Sequence, residues 1–245
     1  MADTKRVDLN GRRLFIGIPC YDGKVNVKTA FSIAQLMPMA AQLGIKVYLS
    51  DLSNCSIITM ARNALVAEFL KTDATELLFI DSDVVVKPDD ILRLMAQSGD
   101  KDITAGAYPR RLEEKKLFAH MYWTEDGDVE MDASLLRVER VGTGFMLIQR
   151  HVLEQMVEAH PEWKYEDRRG PAYAVFDFQL KGDHYMGEDY LFCDRAREMG
   201  FKVHIDSEIS LPHIGQMEFT SDFAEEVMKP LLDAVHKAKL KVANG

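Results

Sequence analysis

The sequence predicts an α/β fold with a Rossmann-like, mostly parallel sheet flanked by helices. Short apolar runs rich in branched side chains alternate with segments of helical periodicity through the first half of the chain, the order typical of β-α-β units. The chain has 245 residues, of which 47% are hydrophobic and 28% charged. A chain of this length and composition can bury a large core without disulfide or metal support.

Four strands and three helices are predicted in the first half. The strands are expected at residues 14–19, 45–49, 76–80 and 102–107, and the helices at 27–43, 57–70 and 88–95. Gly44 follows the first helix as a C-cap, and Pro38 inside that helix predicts a kink or a split. Pro88 begins the third helix, with Asp89 and Asp90 in the first turn, where the helix dipole favours acids.

The second half is less regular. A hairpin-like segment is predicted at 119–129, strands at 135–141, 144–148 and 201–205, and helices at 150–159, 188–199 and 222–242. The last helix is expected to be kinked or broken near Pro230. Residues 162–183 predict a long loop of the kind that is functional or mobile. Its aromatic side chains, which either stack on a ligand or pack in the core, are Tyr165, Tyr173, Phe176 and Phe178.

Charge and composition exclude several classes of protein. The net charge of −9 disfavours sequence-independent nucleic-acid binding, although one basic cluster is present. That cluster is Arg110, Arg111, Lys115 and Lys116. No signal peptide or membrane span is predicted, and three widely spaced cysteines form neither a disulfide framework nor a zinc motif. A cytoplasmic, reducing location is therefore expected.

The strongest chemical signal follows the predicted strand at 76–80. Asp81, Ser82 and Asp83 come at the carboxyl end of a buried strand, the edge where open α/β sheets bind ligands. Two carboxylates so close together are useful when a divalent cation sits beside them, and oxygen ligands suit Mg²⁺ or Mn²⁺. The structural alternative is an ordinary acidic turn that caps the next helix.

A second acidic pair begins the helix at 188–199. Glu188 and Asp189 follow Gly187, and either residue could serve as a general base for an acceptor hydroxyl. First-turn acids that only stabilise the helix dipole are the alternative.

His213 and Arg62 are the remaining candidates. His213 lies in a Pro/Gly loop after a predicted strand, and a nitrogen ligand added to two acids favours manganese; His204 and His184 are weaker ligand candidates. Arg62, beside Asn63 on a mainly apolar helix, either extends to solvent or binds a diphosphate.

The order of these signals along the chain carries more information than any one of them. Tyr21-Asp22, Arg62-Asn63, Asp81-Ser82-Asp83, Gly142-Thr143-Gly144, Gly187-Glu188-Asp189 and His213 follow one another in the order found in GT-A glycosyltransferases. Over roughly residues 14–215 the chain resembles inverting family 2 enzymes and their short phage- and virus-encoded relatives. The resemblance implies a GT-A fold in a single domain over 1–245, with a donor-binding half at 14–110, an acceptor-side half at 111–215 and a C-terminal helix at 222–243.

The resemblance also implies roles for individual residues. The nucleotide-sugar site would contain Pro19, Tyr21, Asp22, Arg62, Asp81, Ser82 and Gly144. Asp81, Asp83 and His213 would hold Mn²⁺ or Mg²⁺. Asp189 would be the catalytic base, with Glu188 beside it holding the acceptor. Gly142 and Gly144 would let the backbone approach the sugar closely.

The implied activity is transfer of a sugar from a UDP- or GDP-sugar to an acceptor hydroxyl, with inversion expected and retention left open. The resemblance leaves the acceptor open among a glycan, a small molecule and a modified nucleobase, and it leaves the oligomeric state open. Processive polysaccharide synthesis is disfavoured, because the tryptophans are Trp123 and Trp163 and no QxxRW-type motif occurs. Two alternatives are a non-catalytic nucleotide-sugar- or glycan-binding protein of the same fold and a sugar nucleotidyltransferase, although the chain lacks the glycine-rich phosphate loop expected of the latter.

Overall fold

The computed structural model describes residues 7–109, 119–214, 218–219 and 222–243. The strands of the main sheet are β1 Arg13–Pro19, β2 Lys46–Leu52, β3 Glu76–Ile80, β4 Ile103–Ala107, β5 Ala119–Met121, β6 Met131–Asp132, β7 Leu135–Val141, β8 Phe145–Gln149 and β13 Val203–Ser210. Three small antiparallel pairs are β9 Lys164–Asp167 with β10 Gly170–Tyr173, β11 Gln179–Lys181 with β12 His184–Met186, and β14 His213–Ile214 with β15 Glu218–Phe219. The α-helices are α1 Val27–Gln42, α2 Ile58–Leu70, α3 Pro88–Gln97, α4 Arg150–Ala159, α5 Glu188–Glu198 and α6 Lys229–Ala243.

The main sheet has the order β2-β1-β3-β8-β4-β13-β7-β5, with β6 paired to β7. β1 is parallel to β2 and β3, and β4 is parallel to β13. β8 is antiparallel to both of its neighbours, and β7 is antiparallel to β13, β5 and β6. The described strands of this sheet therefore share one direction except for β7 and β8, and the predicted α/β class is confirmed.

Helices cover both faces of the sheet because alternate side chains of its strands form an apolar surface on each face. On β3, Leu77 and Phe79 join the core that contains residues of α2, α4 and α5, whereas Leu78 and Ile80 join the core that contains residues of α1 and α3. Successive side chains of a strand point to opposite faces, so a strand covered on both sides reads as a continuous apolar run. This explains why ELLFI at 76–80 shows no polar alternation.

The helix ends follow the predicted signals in most places. At the end of α1 the amide of Ile45 donates to the carbonyl of Ala40 at 2.8 Å and that of Gly44 to Ala41 at 3.2 Å, a Schellman motif with Gly44 at φ +71°. α1 continues through Pro38, so the predicted split is wrong.

The C-terminal region and the predicted long loop also differ from simple expectation. A π-helical segment at Ala224–Met228 continues directly into α6, so the chain is helical on both sides of Pro230 and a break there is not found. The change from π-helical to α-helical hydrogen bonding falls just before this proline, which has no N–H to donate. The region predicted as one loop contains the hairpin β9–β10 and the strand β11. These strands have only three or four residues, which is too short for a detectable alternation of apolar and polar side chains. The basic cluster at 110–116 lies outside the described residues.

Within the described ranges, none of the helices combines the length and the apolar composition needed to cross a membrane.

Gly44→Ala is expected to destabilise the fold by about 1–2 kcal/mol, because its φ is positive and an added Cβ would lie 2.1 Å from Oδ1 of Asn10. Gly99→Ala is the matched control, since an added Cβ there meets no atom within 4 Å. Urea denaturation of both variants checks the expectation. Equal free energies of unfolding for the two variants would show that glycine at position 44 is not required for the stability of the Schellman turn.

Candidate functional site

The candidate site lies at one edge of the main sheet. β1, β3, β4 and β13 run in one direction, so the loops after Pro19, Ile80, Ala107 and Ser210 leave the same edge. β8 runs the opposite way and begins there, because Phe145 pairs with Ile80. The loop that contains Gly144 therefore meets the loop that contains Asp81, and the amide of Asp81 donates to the carbonyl of Gly144 at 2.9 Å.

A buried guanidinium joins three elements at this edge. Arg62 of α2 is 3% exposed, and its Nη2 lies 3.0 Å from Oδ1 of Asp81. Its Nε lies 3.6 Å from Oε1 of Glu188, the first residue of α5. Arg62 therefore does not extend to solvent, and it links the carboxyl end of β3 with the start of α5.

The same guanidinium has unused donors. Within the described part of the chain, Nε and Nη1 of Arg62 donate no hydrogen bond, and Oγ1 of Thr143 is likewise buried without a partner. Burial acts to lower the pKa of Arg62, but the charges of Asp81 and Glu188 outweigh it and raise the pKa. A buried charged donor left without an acceptor is costly, and such groups are often completed by a ligand or water.

Gly144 fills a position with no room for a side chain. A Cβ there would lie 2.8 Å from the ring of Tyr108 and 2.9 Å from Oδ2 of Asp81. The amide of Gly144 donates to the hydroxyl of Tyr108 at 2.8 Å. Burial, followed by the charge of Asp81, raises the pKa of Tyr108 well above its ordinary value, so the hydroxyl keeps its proton.

An open cavity of about 220 Å³ adjoins this cluster. Five of its lining residues were candidates from the sequence and follow or end β1 and β3: Pro19, Tyr21, Asp81, Ser82 and Asp83. Other lining residues lie just before α2 or in its first turns: Cys55, Ser56, Ile58 and Ala61. The cavity therefore brings together the loops that the sequence assigned to one binding site.

Asp83 and His213 form a second pair. Nε2 of His213 lies 3.5 Å from Oδ1 of Asp83, and Nδ1 of His213 lies 2.9 Å from the carbonyl oxygen of Pro109. Because a carbonyl oxygen can only accept, Nδ1 carries the proton and Nε2 is the nitrogen that faces Asp83. Within the described residues, no group of three or more His, Cys, Asp or Glu side chains is placed to hold a metal ion.

Asp189 is a carboxylic acid of the site whose pKa is raised toward neutrality. Burial, and then the neighbouring charge of Glu188, raises the pKa of Asp189 to about 6. The backbone amide of Tyr190 donates to its Oδ1 at 2.8 Å, which fixes one carboxylate oxygen at the start of α5. A carboxylate with a pKa near neutrality is a better proton acceptor than an ordinary exposed acid.

Other sequence candidates lie elsewhere. Asp22 is exposed and pairs with Lys24 at 3.2 Å. Asn63 exchanges two hydrogen bonds with the backbone of Phe176 and is structural. His204 is buried near the start of β13, at the opposite end of that strand from His213, and His184 is exposed.

Sequence reasoning missed three residues of the site, Tyr108, Cys20 and Cys55. Tyr108 contacts the ring of His213 edge-on, with the centroids 5.4 Å apart. Its place directly after a predicted strand was the available signal. Cys20 and Cys55 line the cavity, but their wide spacing gave no indication that they share a surface.

No protein-family model and no curated protein matches the chain. Among solved structures, it is similar to A197 from STIV, with a TM-score of 0.52 and 18% identity over 83% of this chain and 86% of A197. It is also similar to GalNAc-T7 solved with UDP, GalNAc and Mn²⁺, with a TM-score of 0.44 and 12% identity over 81% of this chain and 43% of that one. S. aureus TarS 1-349 in complex with UDP-GlcNAc gives a TM-score of 0.41 and 13% identity over 79% and 55% of the two chains.

These similarities concern the fold. The predicted α/β fold, with a mostly parallel sheet flanked by helices, is confirmed. Identities of 12–18% do not transfer an activity or a ligand to this chain.

Asp189→Asn is expected to gain stability relative to the parent as pH rises from 4 to 8. The folded pKa of Asp189 is about 6, above the usual value near 3.9, so the folded parent holds a proton that the unfolded chain has lost. The parent therefore loses up to about 3 kcal/mol through this window, and the amide variant does not.

Urea denaturation of both proteins at the two pH values measures this difference. Asp183→Asn is the control, because that carboxylate is 92% exposed and the substitution should leave the pH dependence unchanged. Parallel pH profiles for the parent and Asp189→Asn would contradict a raised pKa at this position.

Proposed function

We propose that this protein is a metal-dependent glycosyltransferase that moves a sugar from a nucleoside-diphosphate donor to an acceptor hydroxyl, with inversion. The observation that carries the proposal is the buried Arg62 with the partly buried carboxylates of Asp81, Glu188 and Asp189 around it, beside an open cavity at the carboxyl edge of the sheet. This edge is where open α/β sheets bind ligands. The donor functions are assigned to residues 14–110, and the acceptor functions to 111–215, within a single domain.

The unused donors of Arg62 support a phosphate ligand. Nε and Nη1 are buried, charged and without a hydrogen-bond partner among the described residues. A guanidinium presents a planar fork that fits phosphate oxygens. Tyr21, Ser82 and Pro19 line the adjoining cavity and are assigned to the nucleotide. Gly144 is assigned to the sugar side of the site through its position beside Asp81, since Tyr108 and Asp81 fill the space where a side chain would lie.

The charge balance of the site supports a cation. Asp81, Asp83, Glu188 and Asp189 outnumber the one buried guanidinium, so a diphosphate entering alone would meet a net negative surface. A divalent ion bound there would remove that repulsion and would supply Lewis-acid stabilisation of the leaving diphosphate.

Asp83 and His213 fit such an ion. The distance of 3.5 Å between Oδ1 and Nε2 exceeds a hydrogen bond and suits two ligands that share one centre. The contact of Nδ1 with Pro109 is the outer hydrogen bond that orients a ligating imidazole. A mixed oxygen and nitrogen pair favours Mn²⁺ over Mg²⁺. Asp81, which contacts Arg62, is proposed to face the ion from the donor side, and among the described residues it does not form a three-residue set with Asp83 and His213.

Asp189 is the proposed base. Its raised pKa leaves it ionised above about pH 6 yet basic enough to take the proton of an acceptor hydroxyl. As that oxygen bonds to the anomeric carbon, the bond from the same carbon to the diphosphate oxygen breaks, and the nucleoside diphosphate leaves. Glu188 lies 3.6 Å from Nε of Arg62 and is assigned to hold the acceptor.

Asp189→Asn should lower the transfer rate by about 10²- to 10⁴-fold, because it removes the base without changing the shape of the site. The parent's rate should fall as pH decreases through about 6. Release of nucleoside diphosphate from UDP- and GDP-sugars measures the rate, with Asp183→Asn as the control. An Asp189→Asn variant as active as the parent would remove Asp189 from the mechanism.

Asp83→Ala should weaken Mn²⁺ binding at least ten-fold, since it deletes one of the two side chains that face each other. The electron paramagnetic resonance signal of free Mn²⁺ reports binding without requiring activity. Asp89→Ala is the matched control, because Asp89 is an exposed acid in the first turn of α3. Equal Mn²⁺ binding by both variants and the parent would place the ion elsewhere.

A further inference from the structure

The hairpin β11–β12 presents an apolar face outward. Leu180 pairs directly with Tyr185, and both side chains are exposed, by 66% and 71%. Phe178, two residues before Leu180 on the same face, stacks on Tyr185 with the ring centroids 5.7 Å apart and 24° between the planes. The solvent face of a short hairpin is normally polar, so three large apolar side chains together indicate a contact surface.

The opposite face of this hairpin contacts α5, the helix that carries the proposed base Asp189. Nζ of Lys181 lies 3.2 Å from Oδ2 of Asp194 on α5. Asp194 is buried and also accepts two hydrogen bonds from Arg140 of β7, at 2.7 and 3.0 Å. An ion pair built on a buried carboxylate holds its partners in place more firmly than an exposed pair. The apolar face therefore has a fixed position relative to α5.

That position is next to the proposed base. β12 ends at Met186 and α5 begins at Glu188, so Asp189 follows Tyr185 by four positions. Four steps along the chain span at most about 14 Å, which places the aromatic rings within reach of a molecule whose hydroxyl contacts Asp189.

The charges around the hairpin select for a neutral occupant. Asp183 at its tip and Asp189 at its base are acidic, whereas Lys181 is paired with Asp194 and Glu188 with Arg62. An anionic ligand would be repelled by these carboxylates. Polar groups beside exposed rings suit a molecule with an apolar face and a hydroxyl rim, which describes a sugar ring.

We propose that Phe178, Leu180 and Tyr185 form the acceptor platform of the enzyme, and that the acceptor is a neutral sugar. The ring face of the acceptor stacks on Tyr185 and Phe178 while one of its hydroxyls reaches Asp189. This inference rests on the proposed function, since it assigns the acceptor of the same reaction. It disfavours a nucleic-acid acceptor, whose phosphates would face the acidic hairpin.

Binding of neutral disaccharides tests the platform without requiring turnover. Saturation-transfer NMR with maltose, lactose and cellobiose should show ring-proton contacts for at least one sugar, and Tyr185→Ala should weaken its binding about five-fold. Tyr185→Phe keeps the ring and should bind like the parent. Phe31→Ala, which removes an exposed aromatic ring from α1, is the matched control and should have no effect.

Three results would overturn the inference: no sugar binding, binding that Tyr185→Ala leaves unchanged, or preferential binding of a uronic-acid disaccharide or a single-stranded oligonucleotide. A parallel titration with nucleoside diphosphates separates this failure from failure of the proposed function. Nucleotide binding without sugar binding would leave the transferase in place and remove the platform. Sugar binding without nucleotide binding would keep the platform and indicate a glycan-binding protein.

Discussion

The buried ion pair between Arg62 and Asp81 is the contact on which the site depends. It fixes α2 against the carboxyl end of β3, and through Glu188 it fixes the start of α5 against both. A guanidinium that is 3% exposed stays charged at an acceptable cost only because these carboxylates surround it. The remaining acids and the unused donors of Arg62 then leave an environment suited to an anion accompanied by a cation.

Much of this site could be predicted from the sequence, because its residues follow strands. Asp81-Ser82-Asp83 and the loop of His213 come after apolar runs, and the carboxyl ends of parallel strands meet at one edge. The strand and helix positions themselves followed from apolar periodicity. Glycine at 144 was predicted to allow close approach to a sugar, whereas the structure shows a packing reason for it, the crowding by Tyr108 and Asp81.

Other features depend on contacts that a sequence does not display. The antiparallel insertion of β8 between β3 and β4 brings Gly144 beside Asp81, yet its apolar run looks the same in either direction. The pKa of Asp189 depends on burial beneath neighbouring elements. From the sequence, Arg62 could either extend to solvent or bind a diphosphate, and only its burial in the structure excludes the first. The strands of the hairpin β11–β12 have three residues each, which is too few for a detectable alternation of apolar and polar side chains. Its exposed apolar face was therefore not predicted, and β11 was predicted as part of a loop.

The central claim is that the acid-rich edge binds a nucleoside diphosphate only together with a divalent cation. Thermal unfolding of the parent protein with a panel of nucleoside diphosphates, in Mn²⁺ and in EDTA, tests it most directly. One nucleotide at about one hundred times its dissociation constant should raise the melting temperature by about 5–11 °C in Mn²⁺ and have no effect in EDTA. No shift with any nucleotide, or an equal shift in EDTA, would contradict the claim.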